Sequence, residues 1–288
     1  MGDMKPPRHD RQWTFAMKDR IQLVINDGIA DVRLARPTKL NALDPAMFRA
    51  IAEAGARLRR DASVRVVVLS GEGRGFCAGL DVERITAVVK GEPLLPFADL
   101  MQRTHGLANF VQHIVWQWRE LQVPVIAALH GFAFGGGFQL ALGADLRFAA
   151  PGTRFSVLET NWGLVPDMAG TYLMRCLARE DVVRELTYTA RLFSAEEALG
   201  FGLVTRLVED PHAVAMAAAR EIASRSPDAI RAAKRLLNLG AVSDAAALLA
   251  AETAEQVRLI GSANQVEAVR ANLEDRPPRF ADPAPMGI

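Results

Sequence analysis

Three consecutive glycines, Gly135 to Gly137, stand in the stretch HGFAFGGGFQLALGAD between an apolar run and a helix-like one. Glycine admits positive φ and close approach of the backbone to a ligand, and it leaves a peptide N–H free to face a site. At the start of a helix those amides lack intrahelical acceptors, and the dipole favours negative charge. The triplet is therefore a candidate anion cradle. GFCAGLD, Gly75 to Asp81, is a second place of this kind, again following an apolar run. Two such turns could bring two N–H groups onto one oxygen; the plainer alternative is that these glycines only make tight turns.

Other chemistry-bearing residues point to less. GEGRGF has glycines at 71, 73 and 75, but Phe76 stands where G-x-G-x-x-G requires its last glycine, so no dinucleotide fingerprint is read. Cys77 has no basic partner in its motif and is not read as a nucleophile. His105 and His113 lie eight apart, on one face of a helix, yet no third ligand has suitable spacing; no metal and no redox cofactor is expected. Trp116, Trp118 and Phe97 are read as helix packing or pocket lining.

Composition excludes several classes. Lys plus Arg number 34 against 33 Asp plus Glu, interspersed along the chain, so no field would steer a polyanion and nucleic acid is not an expected partner. Two cysteines, Cys77 and Cys176, make no disulfide framework, which points to a reducing, cytoplasmic setting. No apolar run approaches the roughly 20 residues of a membrane span. The N-terminus lacks the apolar centre of a signal peptide. Residues 1–19 are read as a mobile extension, with order beginning near Met17, residues 20–210 as the core, and residues 211–288 as a helical oligomerisation region.

The elements that must position the glycines follow from local pattern. IQLVIN and IADVRLAR flank Asn26-Asp27-Gly28 and predict a hairpin. Asp44 as N-cap and Pro45 at the first helical position open a helix to about Arg60. VRVVVLSG, Val64 to Gly71, predicts a strand buried on both faces, as in a parallel sheet. Glu83 to Pro96 reads as a lid or pocket-lining loop. A helix with Trp116 and Trp118 then runs to about Leu121, before strands at Val123–Gly131 and Asp145–Ala150 around a helix that begins near Phe138. The fold class expected is α/β. From Ala195 the chain is helical apart from GLVTRLV, with a boundary near Asp210-Pro211 and apolar stripes at Ile222, Ile230, Leu236 and Leu237 that a neighbouring subunit would cover.

RPTKLNALD, GFCAGLDV, HGFAFGGGFQLALGADLRFA, FSVLETNWGLVPDMAGT, SAEEALGFGLVTRLV and SPDAIRAAKRLL stand in the order found in the crotonase, or enoyl-CoA hydratase/isomerase, family, which the chain resembles from about Arg20 to Phe280. The resemblance implies a crotonase-like spiral of ββα repeats with a helical C-terminal region, assembled as a homotrimer or a dimer of trimers. It implies an acyl-CoA substrate, with CoA bound as a thioester rather than a cofactor. Ala78 and Gly136 would supply the two oxyanion-hole amides, and backbone near Lys39, Leu40, Cys77, Ala78 and Asp81 would hold CoA. Such donors suit the chemistry, because a carbon beside a thioester becomes acidic only when the enolate oxygen is stabilised; each is worth about 3 to 4 kcal/mol.

Two glutamates hold one water in the hydratases that the chain resembles. Here the second is Glu159, but Gln139 stands at the first, and an amide can orient water without giving or taking a proton. Asp167, eight residues after Glu159, occupies the place where dienoyl-CoA isomerases of the family carry an Asp. Double-bond isomerisation by Glu159 and Asp167 is therefore favoured. A hydratase using Glu159 with a water oriented by Gln139, an aroyl-CoA dehalogenation through Asp167, and a noncatalytic acyl-CoA binder are the alternatives. Asp167 could also be only the N-cap of the helix in MAGTYLMRCL. Asp275 stands where many relatives have a lysine near CoA phosphate, with Arg276 beside it.

Overall fold

The computed structural model describes residues 13–17, 19–95 and 98–283. Most of the expected N-terminal extension, residues 1–12, and Phe97 lie outside the described residues. Trp13–Met17, expected within that extension, forms strand β1, paired antiparallel with β2 (Ile21–Asn26). β2 turns through Asp27 and Gly28, both at positive φ, into β3 (Ile29–Leu34). Two positive-φ positions make the twist-matched turn that Asp-Gly selects.

After β3 the sheet is parallel. β4 (Val66–Gly71), β5 (Val125–Leu129), β7 (Leu146–Ala149) and β10 (Arg206–Leu207) follow in the spatial order β1-β2-β3-β4-β5-β7-β10. Helix α1 (Pro45–Arg60) begins as expected, with the Asp44 carboxylate accepting from Met47 N–H. α1 lies beside α3 (Phe110–Glu120). Val67, Leu69, Val125 and Ala127 join α1 and α3 in one core, while Val66, Val68, Ile126 and Ala128 join a second. Alternation along a strand sends successive side chains to opposite faces, and here both faces are dry. The second core is closed by α8 (Pro211–Ala223), whose Ala215 and Ala219 let the helix lie close on the sheet.

A shorter ladder accompanies the large sheet. Leu43 bridges Leu80, Cys77 bridges Ala133, and β6 (Phe132–Phe134), β8 (Arg154–Ser156) and β9 (Phe193–Ser194) form a three-stranded sheet. Successive turns of the chain thus supply one long strand and one short crossing segment, each leading to a helix.

Glu83 to Pro96 is not a loop throughout. Val82–Val89 forms helix α2, capped by the Asp81 side chain accepting from Glu83 N–H. At eight residues the helix is too short for its periodicity to stand out. The helices that remain are α4 (Gly136–Leu142), α5 (Gly170–Leu177), α6 (Glu180–Thr189), α7 (Ala195–Gly200), α9 (Pro227–Gly240), α10 (Ala245–Leu259) and α11 (Ala263–Leu273). Lys234 fastens α9 to the core by donating to Trp118 O, Val123 O and Asp145 Oδ2. No helix among the described residues is long and apolar enough to cross a membrane.

Candidate active site

The loop after β4 is held from below by Asn41. This residue is buried at positive φ, its Nδ2 faces the carbonyls of Glu72, Gly75 and Phe76, and its own carbonyl accepts from Cys77 Sγ at 3.1 Å. Burial pushes the Cys77 thiol up to about 12, so it is an inert core group.

The first expected oxyanion donor is corrected here. Ala78 N–H is already spent on Leu40 O, at 3.0 Å. In the parallel bridge that follows, Leu43 N–H donates to Gly79 O at 2.8 Å and Asp81 N–H to Leu43 O at 3.1 Å. The bridged residue in between has its own amide turned the other way, as a parallel ladder requires. Leu80 N–H accordingly reaches no backbone acceptor among the described residues. Gly79, at φ +88°, carries that peptide, and a Cβ there would sit 2.6 Å from Phe134 O and 3.4 Å from Gly136 N. The free amide therefore lies against the glycine triplet.

In the triplet, Gly135 has φ +49° and precedes α4, and Gly136 is the first residue of that helix, where an amide has no intrahelical acceptor. A Cβ on Gly136 would meet Met168 Sδ at 2.8 Å and Leu43 Cδ1 at 3.0 Å, and one on Gly137 would meet Cys77 O at 2.5 Å. Here glycine is required for space as much as for φ. α4 is only seven residues long, so orientation of one amide matters more than the dipole behind it.

Glu159 opens a 3₁₀ turn, Glu159–Trp162, just after β8. It is 8% exposed and lies beside the triplet, with Oε1 only 3.3 Å from the position of a Cβ on Gly135. Oε1 accepts from Gln139 Nε2 at 2.6 Å, whereas Oε2 is buried with no hydrogen-bond partner among the described residues. Burial raises the Glu159 pKa, the Gln139 bond opposes that rise, and the charge of Asp167 adds to it.

Gln139 is not a free water-orienting amide. Its Oε1 accepts from Met168 N–H at 2.8 Å and Gly170 N–H at 3.0 Å, so its carbonyl is consumed. Asp167 is not the cap of α5 either. Ala169, in the left-handed region, holds the N-cap position without a side-chain bond, and Gly170 N–H, the first helical amide, goes to Gln139. The Asp167 residue reaches the surface, yet protein around its carboxyl raises the pKa, burial being the first cause.

The expected CoA contacts are a mixed set. Lys39 is exposed and pairs with Glu83 at 2.8 Å; Leu40 caps a 3₁₀ turn in the left-handed region. The Asp81 carboxylate is occupied by Arg36 at 2.5 Å and by Glu83 N–H, and although burial alone would raise its pKa, these partners hold it below the ordinary range. Arg276 pairs with Glu267 and Glu274 within its own region. His105 and His113 stack face to face at 3.9 Å between centroids. Trp118 is buried in the core, and Trp116 meets Tyr172 edge-on. A cleft of about 730 Å³ lies elsewhere, lined by Arg33, Ser70, His130 and His212 among others and including none of Leu80, Gly136, Gln139 or Glu159.

Leu80, Asn41 and Met168 were missed from sequence. Leu80 carried a usable signal, since it follows the one glycine of GFCAGLD that must take positive φ. The other two are ordinary residue types whose roles depend on partners far along the chain.

Comparison with known proteins agrees with this architecture. Residues 24–283 match the family described as enoyl-CoA hydratase/isomerase. The chain is 35% identical over 263 residues to enoyl-CoA hydratase domain-containing protein 2, mitochondrial, of Bos taurus, covering 88% of this chain and 85% of that one. It is 32% identical over 260 residues to the mitochondrial Delta(3,5)-Delta(2,4)-dienoyl-CoA isomerase of Homo sapiens, covering 86% and 77%. The crystal structure of an enoyl-CoA hydratase from Bacillus anthracis superposes with a TM-score of 0.81 at 28% identity, covering 92% of this chain and 100% of that one. This chain belongs to the enoyl-CoA hydratase/isomerase family of enzymes and has the crotonase fold.

Proposed function

We propose that this enzyme shifts a carbon–carbon double bond in an enoyl- or dienoyl-CoA through an enolate, with Glu159 and Asp167 moving the protons. The observation that carries the reading is Glu159 Oε2, a buried carboxylate oxygen with no hydrogen-bond partner among the described residues, near a second carboxylate, Asp167, that does not cap α5. The thioester oxygen would accept from Leu80 N–H and Gly136 N–H. Glu159 would take a proton from one carbon, and Asp167 would return a proton to another, so no atom is gained or lost by the substrate. The raised pKa of each group suits it to the task, because a general acid or base works best with a pKa moved toward the operating pH. The named activity of the human dienoyl-CoA isomerase relative favours the same reading.

Hydration of a 2-enoyl-CoA is the second reading, favoured by the names of the Bos taurus and Bacillus anthracis relatives. It asks one carboxylate to serve water and carbon alike, since the Gln139 carbonyl is already engaged. CoA would lie along backbone at Lys39, Leu40 and the loop from Cys77 to Asp81. A homotrimer or a dimer of trimers would cover Leu237, Val257 and Leu273, which are exposed on α9 to α11, and the unpaired Cys77 and Cys176 suit a reducing, cytoplasmic compartment.

Absorbance time courses with a 3,5-dienoyl-CoA and separately a 2-enoyl-CoA test the reading. Isomerisation of the first, abolished by Glu159→Gln and by Asp167→Asn, is expected. Consumption of the 2-enoyl thioester alone, untouched by Asp167→Asn, would establish the hydratase instead.

A further inference from the structure

We infer that Gln139 is a positioning residue whose single amide sets both carboxylates, gripping Glu159 through Nε2 and the turn that carries Asp167 through Oε1. The inference rests on the proton-moving roles proposed above for Glu159 and Asp167. Gln139 is 1% exposed, so water has no access to replace its bonds. Its orientation is settled by its partners. Oε1 faces two N–H donors and Nε2 faces a carboxylate, and a flipped amide would set like against like at all three contacts. Gly170 is matched to this role, for a Cβ there would lie 2.5 Å from Gln139 Oε1.

The consequence for Glu159 is one-sidedness. With Oε1 bound, Oε2 is the atom left to receive a proton, and the bond stops the carboxylate from rotating it away. The consequence for Asp167 is a fixed backbone, because the next amide along the chain, Met168 N–H, and then Gly170 N–H are tied to the same oxygen.

The charges around Glu159 are few. α4 carries none, the turn before α5 supplies Asp167, and the acidic groups of α6, which packs on the 3₁₀ turn, are paired with arginines: Glu180 with Arg184, Asp181 with Arg179, Glu185 with Arg191. Removing the Gln139 bond should therefore be legible in the titration of Glu159.

Two measurements test this on the full chain. In the first, difference infrared spectra of the carboxyl band, read against Glu159→Gln, follow the Glu159 titration without any substrate. Gln139→Met fills similar space without the bonds. Gln139→Glu keeps an acceptor for Met168 and Gly170 N–H while setting a carboxylate against Glu159. In both variants the Glu159 titration should move to higher pH, because a bond that favoured its charged form is gone or replaced by repulsion. In the second, pH profiles of turnover with the dienoyl thioester should show an acid limb moved the same way, and kcat lower by about 10²-fold with KM little changed, the size expected of ~1 Å of misplacement. A titration that stays at its wild-type position in the folded variants overturns the inference, and Gln139→Glu serves if Gln139→Met does not fold. Activity surviving in Glu159→Gln would overturn the base assignment instead, a separate result that leaves the infrared comparison readable.

Discussion

Asp81 and Glu159 are both buried carboxylates, 5% and 8% exposed, yet their partners leave their acidities shifted in opposite directions. Asp81 faces the Arg36 guanidinium and a helix N–H, which favour its charged form enough to overcome desolvation. Glu159 has one neutral amide on one oxygen, no hydrogen-bond partner among the described residues on the other, and the Asp167 carboxyl nearby, whose charged form disfavours its own. The difference separates structure from proposed chemistry: the carboxylate that holds a loop is given a cation, and the one proposed to take a proton is denied it.

The largest effect expected is on turnover. Glu159→Gln should lower kcat by about 10²- to 10⁴-fold, the usual worth of a positioned acid or base. Yet it should leave the melting temperature at pH 7 unchanged or higher, because it removes an uncompensated buried charge. A thermal scan showing strong destabilisation would break the contrast with Asp81.

Asp81→Asn should do the reverse by losing stability first. Breaking a buried pair typically costs about 3 to 5 kcal/mol, and somewhat less is expected here because Arg36 also lies 3.6 Å from Asp44. Chemical denaturation would measure it, and a variant as stable as wild type would show that the pair is not what holds the loop.

The same contrast predicts opposite pH dependences of stability. Glu159, with its pKa raised, binds more protons folded than unfolded, so its contribution falls as pH climbs from the ordinary glutamate value of about 4.3 through the folded one. Asp81, with its pKa lowered, contributes fully above the ordinary aspartate value of about 3.9 and loses that contribution as pH drops through the folded one. Both variants carry a neutral amide, so both stability curves should approach wild type at the acid end, where the carboxyls are protonated, and part from it in opposite directions as pH rises, wild type falling relative to Glu159→Gln and gaining relative to Asp81→Asn. Curves that part from wild type in the same direction would contradict the assignment.

The smallest effect is expected at Lys39, whose exposed pair with Glu83 is screened by solvent. Lys39→Ala should raise KM for a CoA thioester at low salt while leaving kcat and melting unchanged. A fall in kcat would place Lys39 nearer the reacting atoms than its position indicates.

Local pattern was sufficient for the hairpin at Asp27-Gly28, the start of α1 at Asp44-Pro45 and the doubly buried β4. Each depends on neighbours within a few residues: a turn needing positive φ, a side chain reaching the next turn's N–H, an alternation of faces. Only the tertiary structure decided that Leu80 rather than Ala78 offers the free amide. Leu40 and Leu43, from a distant loop, set the register of that segment, and register determines which N–H is spent. Only it released Asp167 from capping, since the α5 amide that a cap would satisfy is taken by Gln139 from 31 residues away. Which hydrogen-bonding groups remain unused after folding is a property of long-range pairing, and in this protein the unused groups are the ones assigned to the chemistry.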